Sequence, residues 1–164
     1  MRVLVTGAAG RLGREVVRAF TDDGPVFGLS RAALNVADHK AVHAAVVSCR
    51  PSLVVNCAAW TDVDGCEGDP QRAQRINAAA VGYLREAAEE VGAHLLHVST
   101  DFVFDGKADV PYPEDDLTAP LNVYGSSKLA GEAMAGPEAT VVRTTWLQPA
   151  DAPGMVERLI VALA

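Results

Sequence analysis

A short apolar run, Val3-Leu4-Val5, meets the turn Thr6-Gly7-Ala8-Ala9-Gly10-Arg11-Leu12-Gly13 directly, and an amphipathic pattern through Leu12, Val16 and Phe20 follows at once. That order constrains the fold more than any other feature of the chain. A buried strand that passes through a glycine turn into a helix opens a βαβ unit, because glycine permits both a tight turn and close backbone approach. Four more short runs rich in branched aliphatic residues lie downstream: Val26-Phe27-Gly28-Leu29, Leu53-Val54-Val55, Leu95-Leu96-His97-Val98 and Val141-Val142. Short, near-continuous apolar runs are what parallel strands covered on both faces require.

Between the runs the spacing turns helical, at Val42 and Val46 and again from about Pro70 to Val91 through Ile76, Leu84 and Val91. Asp38 and Asp69 are placed as N-caps, with Pro70 at a first helical position. Strand and helix alternate without internal repeat. The prediction is an α/β chain, a Rossmann-like doubly wound parallel sheet with flanking helices over residues 1–147, then a short tail or helix over 148–164 that includes a helix from Met155 to Leu163. From Thr100 to Pro120 runs a long irregular connection with acids at Glu114, Asp115 and Asp116, which reads as a solvated loop.

The 164 residues suffice for one real core, burying roughly 70% of the surface an extended chain would expose. The formal charge of −7, with no Lys/Arg cluster to offset it, argues against a nucleic-acid partner. No apolar run approaches the ~20 residues needed to span a bilayer, so no membrane partner is expected. The chain enters a strand directly after Met1-Arg2, without the pattern of a signal peptide, and Cys49, Cys57 and Cys66 form no CxxC pair. Both features predict a cytoplasmic protein. His39 and His43 share a helical face, but no cysteine or carboxylate constellation surrounds them in the sequence, so no metal site is predicted.

A glycine turn that ends in a helix N-terminus presents free N–H groups to a diphosphate, which makes Gly7, Gly10, Arg11, Leu12 and Gly13 candidate cofactor-binding residues. At the end of the second run stands Leu29-Ser30-Arg31, where an acid would select the ribose hydroxyls of NAD. A hydroxyl at Ser30 and a guanidinium at Arg31 favour the extra phosphate of NADP(H), with NAD(H) still accommodated. Downstream, Tyr124-x-x-x-Lys128 sets a phenol and an ammonium on one helical face. The ammonium should favour the phenolate and lower the Tyr124 pKa. Val98-Ser99-Thr100-Asp101 ends a strand, where open α/β sheets place ligands, so a hydroxyl of Ser99 or Thr100 could hydrogen-bond a substrate carbonyl beside Tyr124.

Taken together, VTGAAGRLG, VVNCAAWTDVDGCE, HVSTDFVFDG, PYPEDD, TAPLNVYGSSKLAGE and VVRTTW resemble the dTDP-4-dehydrorhamnose reductase family of extended short-chain dehydrogenases/reductases, from Met1 to Leu147. The resemblance implies NAD(P)H-dependent reduction of the 4-keto group of a nucleotide-linked 6-deoxysugar. It implies Thr100 polarising the ketone, Tyr124 donating the proton, and Lys128 binding the nicotinamide ribose while tuning Tyr124. Asn56, Cys57, Ala58 and Ala59 would line the cofactor, with Trp60, Thr61, Val63 and Trp146 towards the sugar. Phe102 stands where the family usually carries tyrosine, and without a carboxylate there, sugar-nucleotide dehydration lacks its usual proton acceptor. The family's chains are nearly twice as long, so three readings stand open: a fragment, a shortened relative with a different substrate, or a chain whose substrate pocket a homodimer or a partner subunit completes; the alternative function is a cofactor-binding regulatory module of the same fold with little or no catalysis.

Overall fold

Each of the five apolar runs becomes a strand in a computed structural model that describes residues 1–145 and Leu147. The strands β1 (Val3–Thr6), β2 (Val26–Leu29), β3 (Leu53–Asn56), β4 (His94–Thr100) and β5 (Thr140–Thr144) form one sheet in the order β2-β1-β3-β4-β5. All neighbouring pairs are parallel, with Thr6 level with Leu29 on one side and Asn56 on the other. The helices are α1 (Arg11–Phe20), α2 (His39–Cys49), α3 (Val63–Gly68), α4 (Pro70–Gln74), α5 (Ala80–Val91) and α6 (Val123–Ala135).

Alternation along each strand divides the core. Leu4, Val54 and Leu95 face one way and pack with Val42 and Val46 of α2 and Val81 and Leu84 of α5. Val3, Val5 and Val55 face the other way and pack against Val16, Val17 and Phe20 of α1. The strand residues and their partners on α2 and α5 are almost wholly withdrawn from water, those of α1 only partly, and full burial of a Val or Leu contributes about 1.5–3 kcal/mol. The predicted caps are in place, with the Asp38 carboxylate accepting from Ala41 N at 3.1 Å and that of Asp69 from Arg72 N at 3.0 Å.

Two boundaries differ from the sequence reading. β4 runs past the apolar run at both ends, because Ser99 and Thr100 find polar partners at its carboxyl end. The helix expected over Pro70 to Val91 is interrupted by a π-helical turn at Arg75–Ala79, between α4 and α5. The long connection after β4 begins with a 3-10 turn at Asp101–Val103 and is then folded by stacking. Phe104 and Tyr112 stack at 4.3 Å between centroids, the Arg143 guanidinium lies 5.1 Å from the Phe104 ring, and Tyr112 donates to Asp105 at 2.9 Å. Trp146 and the tail predicted over 148–164 lie outside the described residues.

His39 and His43 meet Glu86 and Glu90 across the α2–α5 interface, at 3.2 and 2.8 Å. Among the described residues no three ligating side chains converge on a point that could hold a metal. No described helix is long and apolar enough to cross a membrane.

Candidate active site

β1 and β3 lie side by side, yet the chain leaves β1 towards β2 and returns past it to form β3. Crossovers that diverge in this way open a crevice at the carboxyl ends of the two strands, the usual ligand position in such sheets. Gly7 turns the chain there with φ 66°, and a Cβ on it would come within 2.8 Å of the Cys57 and Ala58 backbone. Only glycine fits. α1 follows Gly10, which carries no side-chain cap, so first-turn N–H groups of α1 remain for a ligand. The resulting cleft has room for about 240 Å³. Its walls are Gly7, Ala9 and Gly10, then Arg31, Leu34, Asn35 and Val36 after β2, Cys57 to Trp60 after β3, and Arg72 and Ile76. The Arg72 guanidinium lies 4.1 Å above the Trp60 ring. Two arginines and a helix N-terminus therefore concentrate positive charge in a chain of net charge −7.

Behind the cleft a line of buried polar groups crosses three strands. Thr6 Oγ1 donates to Asn56 Oδ1 at 2.6 Å, and the Ala58 N–H donates to the same oxygen at 3.2 Å. Asn56 Nδ2 lies 3.0 Å from His97 Nδ1, and His97 Nε2 lies 3.3 Å from Lys128 Nζ. Lys128 also donates to the Val98 carbonyl at 2.7 Å. Burial, reinforced by the charge of Lys128, pushes the His97 pKa down to about 3, so this imidazole is neutral. Burial also lowers Lys128 to about 8, against the opposing pull of Glu132 and Cys57. Cys57 is pushed up to about 11 by burial, with Lys128 pulling the other way, so it is a packed thiol rather than a nucleophile.

Tyr124 enters the site from the first turn of α6, where Asn122 Oδ1 accepts from Gly125 N at 2.7 Å and Glu67 Oε1 accepts from Val123 N at 2.7 Å. Its ring packs with Cys66, Ala73, Trp60 and Val63, and meets Phe102 edge-on at 5.5 Å between centroids. Thr100 lies close enough to the Tyr124 hydroxyl for hydrogen bonding to pull its pKa down, while Thr100 Oγ1 donates to Asp101 Oδ1 at 3.1 Å and accepts from Phe102 N at 3.2 Å. The expected lowering of the Tyr124 pKa does not hold in this geometry. Burial raises it, the Thr100 hydrogen bond opposes that rise, and the charges of Asp101 and Cys66 add to it. Lys128 bonds Val98 and His97 instead.

The π-helical turn aims Asn77 inward, where its Oδ1 accepts from Trp60 N at 2.8 Å and its Nδ2 donates to Trp60 O at 3.0 Å and Ser127 Oγ at 2.9 Å. Ser127 Oγ donates in turn to the Tyr124 carbonyl at 2.7 Å. One amide thus fastens the segment after β3 to the helix that carries Tyr124. Extra residues per turn are common where a helix is shaped for function.

The family model of the RmlD substrate binding domain matches residues 1–163. The chain belongs to this family. It is 44% identical over 164 residues to the dTDP-4-dehydrorhamnose reductase of Streptomyces griseus, with 97% of this chain and 54% of that protein covered. It is 47% identical over 152 residues to a probable dTDP-4,6-dihydroxy-2-methyloxan-3-one 4-ketoreductase of Streptomyces antibioticus, covering 90% and 52%. The crystal structure of dTDP-4-dehydrorhamnose reductase from Bacillus anthracis in complex with NADP superposes with a TM-score of 0.92 at 33% identity, covering 98% of this chain and 59% of that one. The chain spans about half the length of the curated relatives it matches.

Within this family fold, the residues singled out from sequence fall into four groups. Gly7, Gly10, Arg31, Cys57, Ala58, Ala59 and Trp60 line the cleft. Thr100 and Tyr124 meet beside it, with Lys128 buried one helical turn along α6. Arg11, Leu12, Gly13 and Ser30 stand beside or behind the walls: Arg11 and Leu12 open α1, Gly13 is buried against Gly7 and Ala8, and the Ser30 carbonyl accepts from Ala33 N and Leu34 N. Val63 packs against the Tyr124 cluster, Thr61 is exposed, and Trp146 lies outside the described residues. Leu34, Asn35, Arg72, Asn77, His97 and Ser127 escape the sequence reading. A polar residue inside an apolar run, as at His97, is the signal that could have found one of them.

Proposed function

We propose that the chain forms the cofactor-binding and catalytic part of an NADPH-dependent reductase of the 4-keto group of a nucleotide-linked deoxysugar. The observation that carries this reading is the meeting of Tyr124 with the Thr100 side chain beside the glycine-turned cleft. Reduction of a ketone places negative charge on its oxygen, and a donor aimed at that atom both stabilises and protonates it. Tyr124 suits the role because burial keeps its phenol protonated at neutral pH. Thr100 would be the second donor, orienting the carbonyl once its hydroxyl turns from Asp101 Oδ1, the acceptor it has in the free chain at 3.1 Å.

When bound, the dihydronicotinamide supplies the hydride. The α1 N-terminus with Gly7 and Gly10 would hold the diphosphate, Ala58 and Ala59 would form the opposite wall, and Lys128 would hold the nicotinamide ribose. Arg31 favours NADP(H) over NAD(H), since its guanidinium suits an additional phosphate. Trp60, Thr61 and Val63 are assigned to the sugar side, together with Trp146. Further chain, a second copy or a partner subunit would complete those walls.

Relatives named as reductases of dTDP-linked ketosugars, and one solved with NADP, support the reading. NADPH oxidation with a dTDP-linked 4-keto-6-deoxysugar tests it, set beside cofactor titration. Ketosugar-dependent oxidation that disappears in Tyr124→Phe is the expected result. Cofactor binding with no turnover would instead favour a regulatory module of the same fold.

A further inference from the structure

A parallel sheet carries apolar side chains on both faces and needs a layer over each. On one face of this sheet a single cluster beneath α2 and α5 runs from Phe27 of β2 through Leu95 of β4 to Val141 of β5. Side chains alternate along a strand, so Leu96, Val98 and Val142 point to the other face, the side of α1. There α1 lies over β1 and β2 and packs with Val3, Val5 and Val55, and Leu96 joins the margin of that cluster. Val98 and Val142 are register partners beyond the margin. Among the described residues neither packs in a core cluster, and Val142 is 41% exposed.

The uncovered strip is two strands wide. Neighbouring strands lie about 4.8 Å apart, so the strip is about 10 Å across, which is the diameter of one helix with its side chains. A stable contact with a second copy would bury about 800 Å² on each molecule, far more than the three aliphatic side chains of this strip supply. The sequence holds a segment of the right pattern outside the described residues: Met155, Val156, Leu159, Ile160 and Leu163 fall on one side of a helix, with Glu157 and Arg158 on the other. A helix over 155–163 would be about 14 Å long, against about 17 Å for the five residues of β5. The intervening residues 148–154 can reach up to about 25 Å, enough to turn over the carboxyl edge of the sheet, where β5 ends at Thr144.

We propose that residues 155–163 dock as a helix on the α1 side of β4 and β5, with Leu159, Ile160 and Leu163 against Val98 and Val142. The placement bears on the site, because the Val98 carbonyl accepts from Lys128 and Thr100 ends the same strand. A helix seated there braces the strand end that carries both groups. That consequence for catalysis rests on the function proposed above, whereas the docking does not.

The test uses the full chain without cofactor or substrate, so absence of turnover does not affect it. Amides of residues 156–163 are expected to exchange hydrogen at least about tenfold more slowly than in an unstructured chain. Methyl NOEs are expected between Val98 or Val142 and Leu159, Ile160 or Leu163 within one molecule. Val142→Asp sets a charge against the apolar side of the helix and should abolish the protection. Leu159→Asp, which leaves the sheet untouched, should do the same. Val110→Asp, at a position 70% exposed in the loop after β4, should leave the protection as it is. Tail amides that exchange at the unstructured rate in the wild type overturn the proposal whether or not the variants fold. Protection that survives Leu159→Asp or folded Val142→Asp also overturns it. So do NOEs seen only between differently labelled copies, which would make the strip an interface between molecules.

Discussion

Asn77 Nδ2 donates to Ser127 Oγ at 2.9 Å, joining a π-helical turn to the helix that carries Tyr124. Both side chains are buried, and the same amide also serves the backbone N–H and carbonyl of Trp60. Asn77→Ala would leave those two groups and the Ser127 hydroxyl short of partners. Unsatisfied buried groups cost about 1–3 kcal/mol, so the urea midpoint should fall measurably. Ser127→Ala leaves fewer groups unpaired and should destabilise less.

Arg31 tests cofactor choice. Arg31→Asp places a carboxylate on the cleft wall after β2, where an extra phosphate would be repelled and ribose hydroxyls would be accepted. Calorimetric titration should show NADPH affinity falling at least about tenfold relative to NADH, or roughly 1.4 kcal/mol. An unchanged affinity ratio would remove Arg31 from the phosphate site.

Tyr124→Phe should leave cofactor binding nearly intact, because the ring can keep its packing with Trp60, Val63 and Phe102. Turnover should drop about 100- to 10,000-fold, the usual worth of general acid catalysis. Thr100→Val, which keeps the shape and removes the hydroxyl, should reduce kcat without matching that loss. Steady-state rates with NADPH and the ketosugar separate the two.

The pH dependence of stability follows from the two buried bases. His97 binds a proton near pH 3 in the fold against an ordinary value of 6.5, so between these limits the unfolded chain holds the extra proton. Stability should therefore fall as pH drops from 6.5, by up to about 1.4 kcal/mol per pH unit from this group. Lys128, lowered to about 8 from 10.5, has the same sign on the alkaline side: its penalty is fully present below about 8 and is relieved as pH rises towards 10.5. Denaturant midpoints across the acid range should show the first slope, and His97→Gln should flatten it.

Much of this is legible in the sequence because strands of a parallel sheet announce themselves locally. Val3 to Val5 and Leu53 to Val55 are apolar on both faces, and the glycine turn between strand and helix fixes the position of the crevice. Asp38 and Asp69 cap where they are expected, since a cap depends on neighbours three residues away. Pairings between distant positions leave no such trace. His97 meets Asn56 41 residues earlier in the chain, and Asn77 meets Ser127 50 residues later. The π-helical turn is hidden for a related reason: one added residue per turn barely disturbs the spacing of Ile76, Leu84 and Val91. The ionisation of Tyr124 is misjudged from its spacing to Lys128, because sharing a helical face does not decide where an ammonium finds its hydrogen bonds.

The cleft floor is made from Gly7, Ala9, Gly10, Ala58 and Ala59, residues with at most one side-chain carbon, whereas Arg31, Asn35 and Arg72 supply its long polar side chains. A surface of main chain and methyl groups has no rotamers to freeze when a ligand arrives, so ordering it carries little conformational entropy. Selectivity is thereby separated from adhesion. Exchanges among the three longer side chains can retune which dinucleotide is preferred while the floor, and the affinity common to both dinucleotides, stays as it is.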